Sequence, residues 1–432
     1  MGPGPGDLLD LETGAVATGG GCVARSAGGQ VVFVRHALPG ERVRARVTAA
    51  TSSFLRADAV EVLVPSPHRV EPPCPHAGPG RCGGCDYQHV AVPAQRALKA
   101  FRVAEQLRRV AGVERPVEVE PVTGPHGDNG RGWRTRVRLA VDRDGSVGYR
   151  RHRSHDIEPV EACPIATDAV TATGVFGARW PGAAGLEVDT GCAPGEAVIA
   201  VVPRDGETLR VPAASEVPAG ISVRRTVHRP PPAVHADAGG HHFRVSHGVF
   251  WQAHAGAPAA LLDAVLAAVG PCTGAAVVDL YAGAGLFSVP LAAAVGPTGS
   301  VLAVERAARA CEDLRHNAAR ARLDAHCRVR RATVTPGLVA AGVGRPDVLV
   351  LDPAREGAGT AVMRAVSGHA RTLRTVVYVA CDPASFSRDC RVLLDRGWML
   401  SSLRAFDIFP MTEHVELVAA FEPKGAVATA TP

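Results

Sequence analysis

The chain has 432 residues, enough for two to four domains, and a net charge of +5 that permits a polyanionic partner without demanding one. No uncharged apolar stretch reaches the roughly 20 residues that cross a bilayer. The opening MGPGPGDLLD lacks the basic-then-apolar pattern of a secretory signal. A membrane protein and an exported disulfide framework are therefore not expected, and a soluble cytoplasmic protein is; a monomer is expected as well, on no motif of its own. Where the 11 cysteines lie close together they read as ligands or nucleophiles. Nearly every base is arginine, Lys99 and Lys424 being the only lysines.

Residues 8–63 alternate short β-like runs (Ala15–Ala17, Gln30–Val34, Glu41–Val47, Ala57–Val64) with glycine turns. This spacing predicts a small OB-like barrel of about five strands. Arg25, Arg35, Arg42, Arg44, Arg46 and Arg56 either grip an oligonucleotide or form a solvated strand face.

A proline-rich break over Pro65–Pro75 leads into CPHAGPGRCGGCDYQH. Cys74, Cys82 and Cys85 lie too close together, among too many Gly and Pro residues, to be core side chains. They read as ligands of a metal or iron–sulfur centre, with Cys163 in EACPIA as the fourth. Spacing alone also allows zinc, His76 or His89 replacing one thiolate. Pro93–Val113 has helical periodicity, with Ala97, Phe101, Ala104 and Val110 on one side and the arginines and Lys99 elsewhere, as in an ordinary packing helix. Arg134, Arg136 and Arg138 alternate along a predicted strand. On one face they suit phosphates, or a solvated edge. Residues 145–225 read as further strands and loops, and Pro230–Pro232 as a linker.

Past SHGVFWQAHAGAP, Pro258 opens a helix running to Val269, with Gly270 as its stop. The stretch Val277–Glu305 is the organising element: an apolar strand ending at Asp279, a G-x-G loop at Gly283 and Gly285, a helix from Phe287 to Val295, then a second apolar run closed by Glu305. Glycines admit a ligand close to the backbone, and an acid at the end of the next strand suits a ribose diol. Without a third glycine, S-adenosylmethionine is favoured over a dinucleotide. Ala308–Leu323 reads as a helix. Strands at Asp347–Leu351 and Thr375–Ala380 end at Asp352 (LDPAREG) and Cys381 (YVACDPASFSRD). Asp279, Glu305, Asp352 and Cys381 thus share the carboxyl edge of one parallel sheet, where ligands collect. A helix over Ser385–Arg396 and strands at Ser401–Ile408 and Val415–Phe421, joined by FPMTEH, complete the sheet.

With CxxxxxxxCGGCxxQH, FWQ, DLYAGAG, LDPAREG, ACDP and FPMTEHVE in this order, the chain resembles the bacterial RNA uracil-5 methyltransferases. It is most similar to those with a TRAM domain and an iron–sulfur cluster that modify large-subunit (23S) ribosomal RNA. The resemblance runs from about residue 10 to residue 422. It implies a multidomain α/β protein: a TRAM barrel over 1–63, a central iron–sulfur and RNA-binding domain over 64–235, and a class I (Rossmann-like) methyltransferase domain over 236–432. The 93–113 helix packs on the last of these. The resemblance further implies a 4Fe-4S cluster on Cys74, Cys82, Cys85 and Cys163. Cys381 is the implied nucleophile and Glu416 the base. S-adenosylmethionine is held by Gln252, Tyr281, Gly283, Gly285, Glu305 and Asp352, and the partner is structured RNA, ribosomal RNA favoured over transfer RNA, with a transfer-RNA enzyme or a catalytically inactive RNA-binding protein of the same fold as the alternatives. Here Ala282, Leu286, Ala354 and Asp382 depart from the family's usual residues, and Ala332 and Thr333 stand where an acid is often found near the adenine. Asp382, beside Cys381, is expected to raise its thiol pKa unless Arg355 or Arg388 compensates. Cys22, Cys192, Cys272, Cys311, Cys327 and Cys390 are expected to be inert packing residues.

Overall fold

Alternation of inward apolar and outward polar residues produces five strands at the N-terminus of the computed structural model, which describes residues 2–224 and 226–425. These are β1 (Leu8–Glu12), β2 (Cys22–Arg25), β3 (Val31–Arg35), β4 (Arg42–Ala50) and β5 (Phe54–Val64), ordered β1-β4-β5-β3-β2. The chain leaving β1 returns to β2 through the Gly14 N–H to the Val23 carbonyl (2.7 Å) and the Val23 N–H to the Ala15 carbonyl (2.9 Å), which closes the barrel. Leu11, Val32, Val34, Val43, Ala45 and Leu55 fill it. The run at Ala15–Ala17 forms an isolated bridge, Val16 to Cys22, rather than a strand, because the glycine turn at 19–21 follows at once. Arg44 is taken up by Asp10 and Glu61 (2.9 and 2.8 Å), and Arg35 lies 3.8 Å from Asp86.

Pro93, in the first turn, suits the start of α1 (Val92–Gln106), which runs on as a π-helical turn over Leu107–Ala111 and stops at Gly112 in the left-handed region. The predicted buried face is reversed. Phe101 and Val110 are exposed, and the helix buries Gln95, Lys99, Arg102, Val103 and Leu107. Polar groups go inside because each finds a partner. Lys99 Nζ lies 2.5 Å from Asp407 and donates to the Phe409 carbonyl (3.0 Å), Gln95 donates to the Tyr87 and Val90 carbonyls, and Arg102 lies 2.8 Å from Glu413. Apolar periodicity is blind to such pairing. Losing one member of a buried pair strands the other charge at a cost of roughly 3–5 kcal/mol. Lys99→Ala is therefore expected to lower the urea midpoint of the catalytic domain sharply, with Asp407→Asn recovering part of the loss in the double variant. A midpoint unchanged in Lys99→Ala would show that the pair contributes nothing net.

After α1 the chain forms β6 (Val119–Pro121), then β7 (Arg136–Val141), β8 (Val147–Arg150), β9 (Ile157–Pro159), α2 (Asp168–Ala172), β10 (Ala183–Thr190), β11 (Ala197–Pro203), β12 (Gly220–Val223) and β13 (Thr226–Arg229). All but β6 and α2 make the central sheet, ordered β13-β12-β11-β10-β7-β8-β9, over a core including Val137, Leu139, Trp180, Leu186 and Ile199. Pro230–Pro232 leads directly into a separate hairpin, β14 (Ala233–Ala238) and β15 (His241–Ser246), so the expected boundary at 235 falls inside a strand.

The remaining elements are α3 (Ala257–Val269), β16 (Ala276–Leu280), α4 (Ser288–Val295), β17 (Ser300–Glu305), α5 (Ala308–Arg320), β18 (Cys327–Arg331), β19 (Val348–Leu351), α6 (Thr360–Ser367), β20 (Thr375–Ala380), α7 (Pro383–Leu394), β21 (Trp398–Asp407) and β22 (Glu416–Pro423). Their sheet runs β18-β17-β16-β19-β20-β22-β21-β6. The first five strands are parallel, and β22 is antiparallel to both its neighbours. β6 joins the far edge beside β21, so residues 119–121 belong to this sheet although they precede the central one. Val278, Leu280, Leu349, Val376 and Tyr378 pack under it with Val103 and Leu107 of the α1 segment. Among the described residues no helix is long and apolar enough to cross a membrane.

Candidate active site

Strand order reverses between β16 and β19, which opens a crevice beyond their carboxyl ends. The loop leaving β16 is shaped for close approach: Tyr281 is left-handed (φ 64°), as is Gly283 (φ 55°). A strained non-glycine residue of this kind is common at ligand sites. A pocket of about 330 Å³ here is lined by Gln252, Tyr281, Gly283 and Asp352, with Phe250, Trp251, Leu286 and Phe287 as apolar walls. Leu286 thus supplies apolar surface where the family usually offers a polar group. Glu305 lies outside the lining and holds its loop, its carboxylate accepting the Gly283 N–H (3.1 Å) and the Ala307 N–H (2.7 Å). Gly285 lies outside the lining, where a Cβ would come within 2.9 Å of Leu314, so closeness to α5 accounts for it.

Asp279 is the group that motif reading undervalued. It is fully buried, one oxygen bound by the Ser288 hydroxyl and the other without a partner. Burial raises its carboxyl to about 7, and burial together with Asp279 raises that of Asp352 to about 7 as well. Half-buried Asp352 is the carboxylate on the pocket wall, and Asp279 lies fully buried outside the lining.

Cys381 leaves the end of β20, and the register Ala380↔Leu417 sets it opposite Glu416 at the start of β22. The Cys381 thiol is pushed up to about 12 by burial and then by Glu416, Asp352 and Asp382. Burial, with Asp352 adding, holds Glu416 well above the usual carboxylate range. Asp382 caps α7 by accepting the Ser385 N–H (2.8 Å). Arg355 stands 3.9 Å from Asp382 and Arg388 is committed to Asp389 at 2.9 Å, and Asp382 still raises the thiol, so the expected compensation is not seen. Asparagine at 382 keeps the cap and removes the charge. Asp382→Asn is thus expected to speed alkylation of Cys381 by iodoacetamide at fixed pH with little change in melting temperature. An unchanged rate would mean that the carboxylate does not reach the thiol.

The loop before Glu416 ties the three regions together. Glu413 accepts the Gly19 N–H of the barrel (2.6 Å) and pairs with Arg102, and its own N–H donates to Asp86 (3.2 Å). The Met411 carbonyl accepts the N–H groups of Asp86 and Tyr87 (3.0 and 2.9 Å), just after Cys85.

Cys74, Cys82, Cys85 and Cys163 line one cavity of about 410 Å³ with His76, Arg134 and Tyr149, and none forms a disulfide. Four thiols around one cavity are the donor set of a metal or iron–sulfur centre. His76 lies 3.2 Å from Glu158, and His89 is buried outside the cavity lining.

The arginine stripe is largely spent. Arg136 pairs with Asp189 (2.5 Å), exposed Arg138 with Glu187 (2.9 Å), and Arg134 precedes β7 and packs on Trp133. Of the six cysteines read as packing, Cys22, Cys272, Cys311, Cys327 and Cys390 are buried, but Cys192 is exposed.

A doubly wound sheet of this order, with a G-x-G loop, a strand-end acid and a switch-point pocket, defines a class I methyltransferase. Residues 13–60 match the TRAM domain. The chain is 45% identical to an uncharacterized RNA methyltransferase of Streptomyces coelicolor, over 97% of this chain and 93% of that one. It is 32% identical to the 23S rRNA (uracil(1939)-C(5))-methyltransferase RlmD of Pseudomonas putida, over 91% and 89%. The crystal structure of Pyrococcus abyssi tRNA (uracil-54, C5)-methyltransferase with S-adenosyl-L-homocysteine superimposes with a TM-score of 0.71 at 21% identity, over 95% of this chain and 99% of that one, and shares its fold. The protein belongs to the TRAM-containing RNA uracil-C5 methyltransferase family.

Proposed function

We propose that the protein transfers the methyl group of S-adenosylmethionine to carbon 5 of a uridine in structured RNA, with 23S ribosomal RNA as the substrate. The observation that carries the reading is the placement of Cys381 opposite Glu416 on the sheet edge that also bears the Asp352 pocket. Carbon 5 of uracil is a poor nucleophile. Addition of the Cys381 thiolate to carbon 6 makes the ring an enolate that takes the methyl group at carbon 5. Glu416 then removes the proton left on carbon 5, and the thiolate is eliminated. The base has to leave its stack to reach a half-buried cysteine.

Gln252, Tyr281, Gly283 and Asp352 hold the cofactor from the pocket walls, Glu305 is on its ribose, and Asp279 offers an unpaired oxygen from below. Gly285 serves by letting the loop lie against α5. Cys74, Cys82, Cys85 and Cys163 hold a 4Fe-4S cluster that supplies a rigid cross-link and no redox step. Its bracing reaches the site through Asp86 and Tyr87, whose N–H groups grip Met411 in the loop before Glu416.

Mass-spectrometric nucleoside mapping of ribosomal and transfer RNA from wild-type and deletion strains tests the reading. Loss of 5-methyluridine at one 23S position, restored by the intact gene, is the expected result. Loss confined to transfer RNA overturns the substrate, and no loss anywhere overturns the reaction.

A further inference from the structure

We infer that the trio Cys192, Asp237 and His242 is a binding site for a divalent cation of the zinc class, which clips the central sheet to the catalytic domain. The ligand atoms of the three residues all lie within 4.8 Å of one another. Cys192 sits in the turn between β10 and β11, whereas Asp237 and His242 are directly opposed across the β14–β15 hairpin. A thiolate, an imidazole and a carboxylate together form a borderline-soft donor set that favours zinc over magnesium or calcium, and three protein ligands leave one tetrahedral position for water.

The surroundings hold the donors in place. The Cys192 N–H donates to the His235 carbonyl (2.8 Å), which pins its turn to β14. His235 stacks on His242, ring centroids 5.1 Å apart, and is itself held through Nδ1 by Glu196 (2.6 Å). His242 Nδ1 lies 2.5 Å from Asp237 Oδ1, so a small rotation of the imidazole admits an ion between them. Nothing in the methyl-transfer chemistry uses these residues.

The site lies where a clip would act. The hairpin is anchored on α5, with the Ser246 N–H and hydroxyl donating to Asp313 (2.7 and 2.8 Å) and the Arg244 N–H to Asn317 (2.8 Å). The turn bearing Cys192 belongs to the central sheet. Cys192 and Asp237 also border an open cleft of about 1,100 Å³ that Trp251 and Gln252 line as well, and Gln252 lines the pocket beside Asp352 too. An ion fixes the width of that cleft.

Cobalt(II) is the probe, titrated into the full-length protein as isolated and, in parallel, into Cys192→Ser and His242→Ala. Because all three forms share the four central-domain thiols, the difference between them reports this site alone. The expected result is about one additional equivalent in the wild type, with a sulfur-to-cobalt charge-transfer band that Cys192→Ser removes and an affinity that His242→Ala lowers at least tenfold. Zinc should displace the cobalt and slow amide exchange at residues 191–196. Equal melting temperatures in chelator establish that the variants fold. Identical titrations for wild type and Cys192→Ser, or an affinity indifferent to His242, overturn the proposal.

Discussion

Cys381→Ala is expected to lower methyl transfer at least about 10⁴-fold while leaving RNA affinity within a few-fold of wild type. Without a sulfur at carbon 6 nothing raises electron density at carbon 5, so neither positioning nor cofactor binding rescues the step. A 5-fluorouridine RNA gives a second readout. The wild type should form a denaturant-stable complex, because fluorine replaces the proton that has to leave, and Cys381→Ala should form none. Residual turnover above about one per cent of wild type would place the nucleophile elsewhere or make the target a nitrogen or oxygen, which needs no covalent cysteine. The thiol also predicts how the reaction is ordered. Held up at about 12 by burial and by Glu416, Asp352 and Asp382, it is protonated in the free protein at neutral pH. Positive charge in the neighbouring pocket, beside Asp352, is what would lower it. Alkylation of Cys381 should therefore quicken with S-adenosylmethionine and not with the uncharged thioether of S-adenosylhomocysteine.

Sequence reading succeeded where one local pattern decides the outcome. The Thr375–Ala380 strand matches the observed β20 residue for residue, because a fully apolar β-branched run has one place to go in a doubly wound sheet. The carboxyl-edge alignment of Glu305, Asp352 and Cys381 follows from parallel strands alone. It failed where long-range pairing overrides composition. Lys99, one of two lysines in the chain, reads as facing away from the packed side of an ordinary helix, yet Asp407, 308 residues away, takes it into the core. β6 lies before the central sheet in the chain and beyond β21 in space, and nothing within Val119–Pro121 announces that. The knot of Gly19, Asp86 and Arg102 around Glu413 was equally hidden, since its members come from three regions and no motif spans them. The single sequence-level clue to it is FPMTEH itself, a polar insertion between two apolar strands that has to be held by something.

Glu416→Gln is expected to separate the two halves of the reaction. Glutamine keeps the shape and loses the base, so addition and methylation proceed while proton removal from carbon 5 falls roughly 10²–10⁴-fold. A methylated, protein-linked RNA should accumulate on ordinary uridine substrate, with one methyl group per adduct. Normal turnover in Glu416→Gln would assign the base to another group. The pH dependence follows from the same burial. The Glu416 carboxyl lies well above its usual range, and only its ionised form accepts the proton, so adduct breakdown in the wild type should quicken with rising pH. The stability effect has the opposite sign. A carboxyl whose folded pKa is raised binds more protons in the native than in the unfolded state, so stability falls as pH rises from the unfolded value toward the folded one. For Asp279 and Asp352 that window runs from about 4 to about 7. Glu416→Gln deletes one such group and should flatten the decline while abolishing turnover. A variant that is more stable at alkaline pH and chemically dead is what a functional carboxylate buried against its own preference produces.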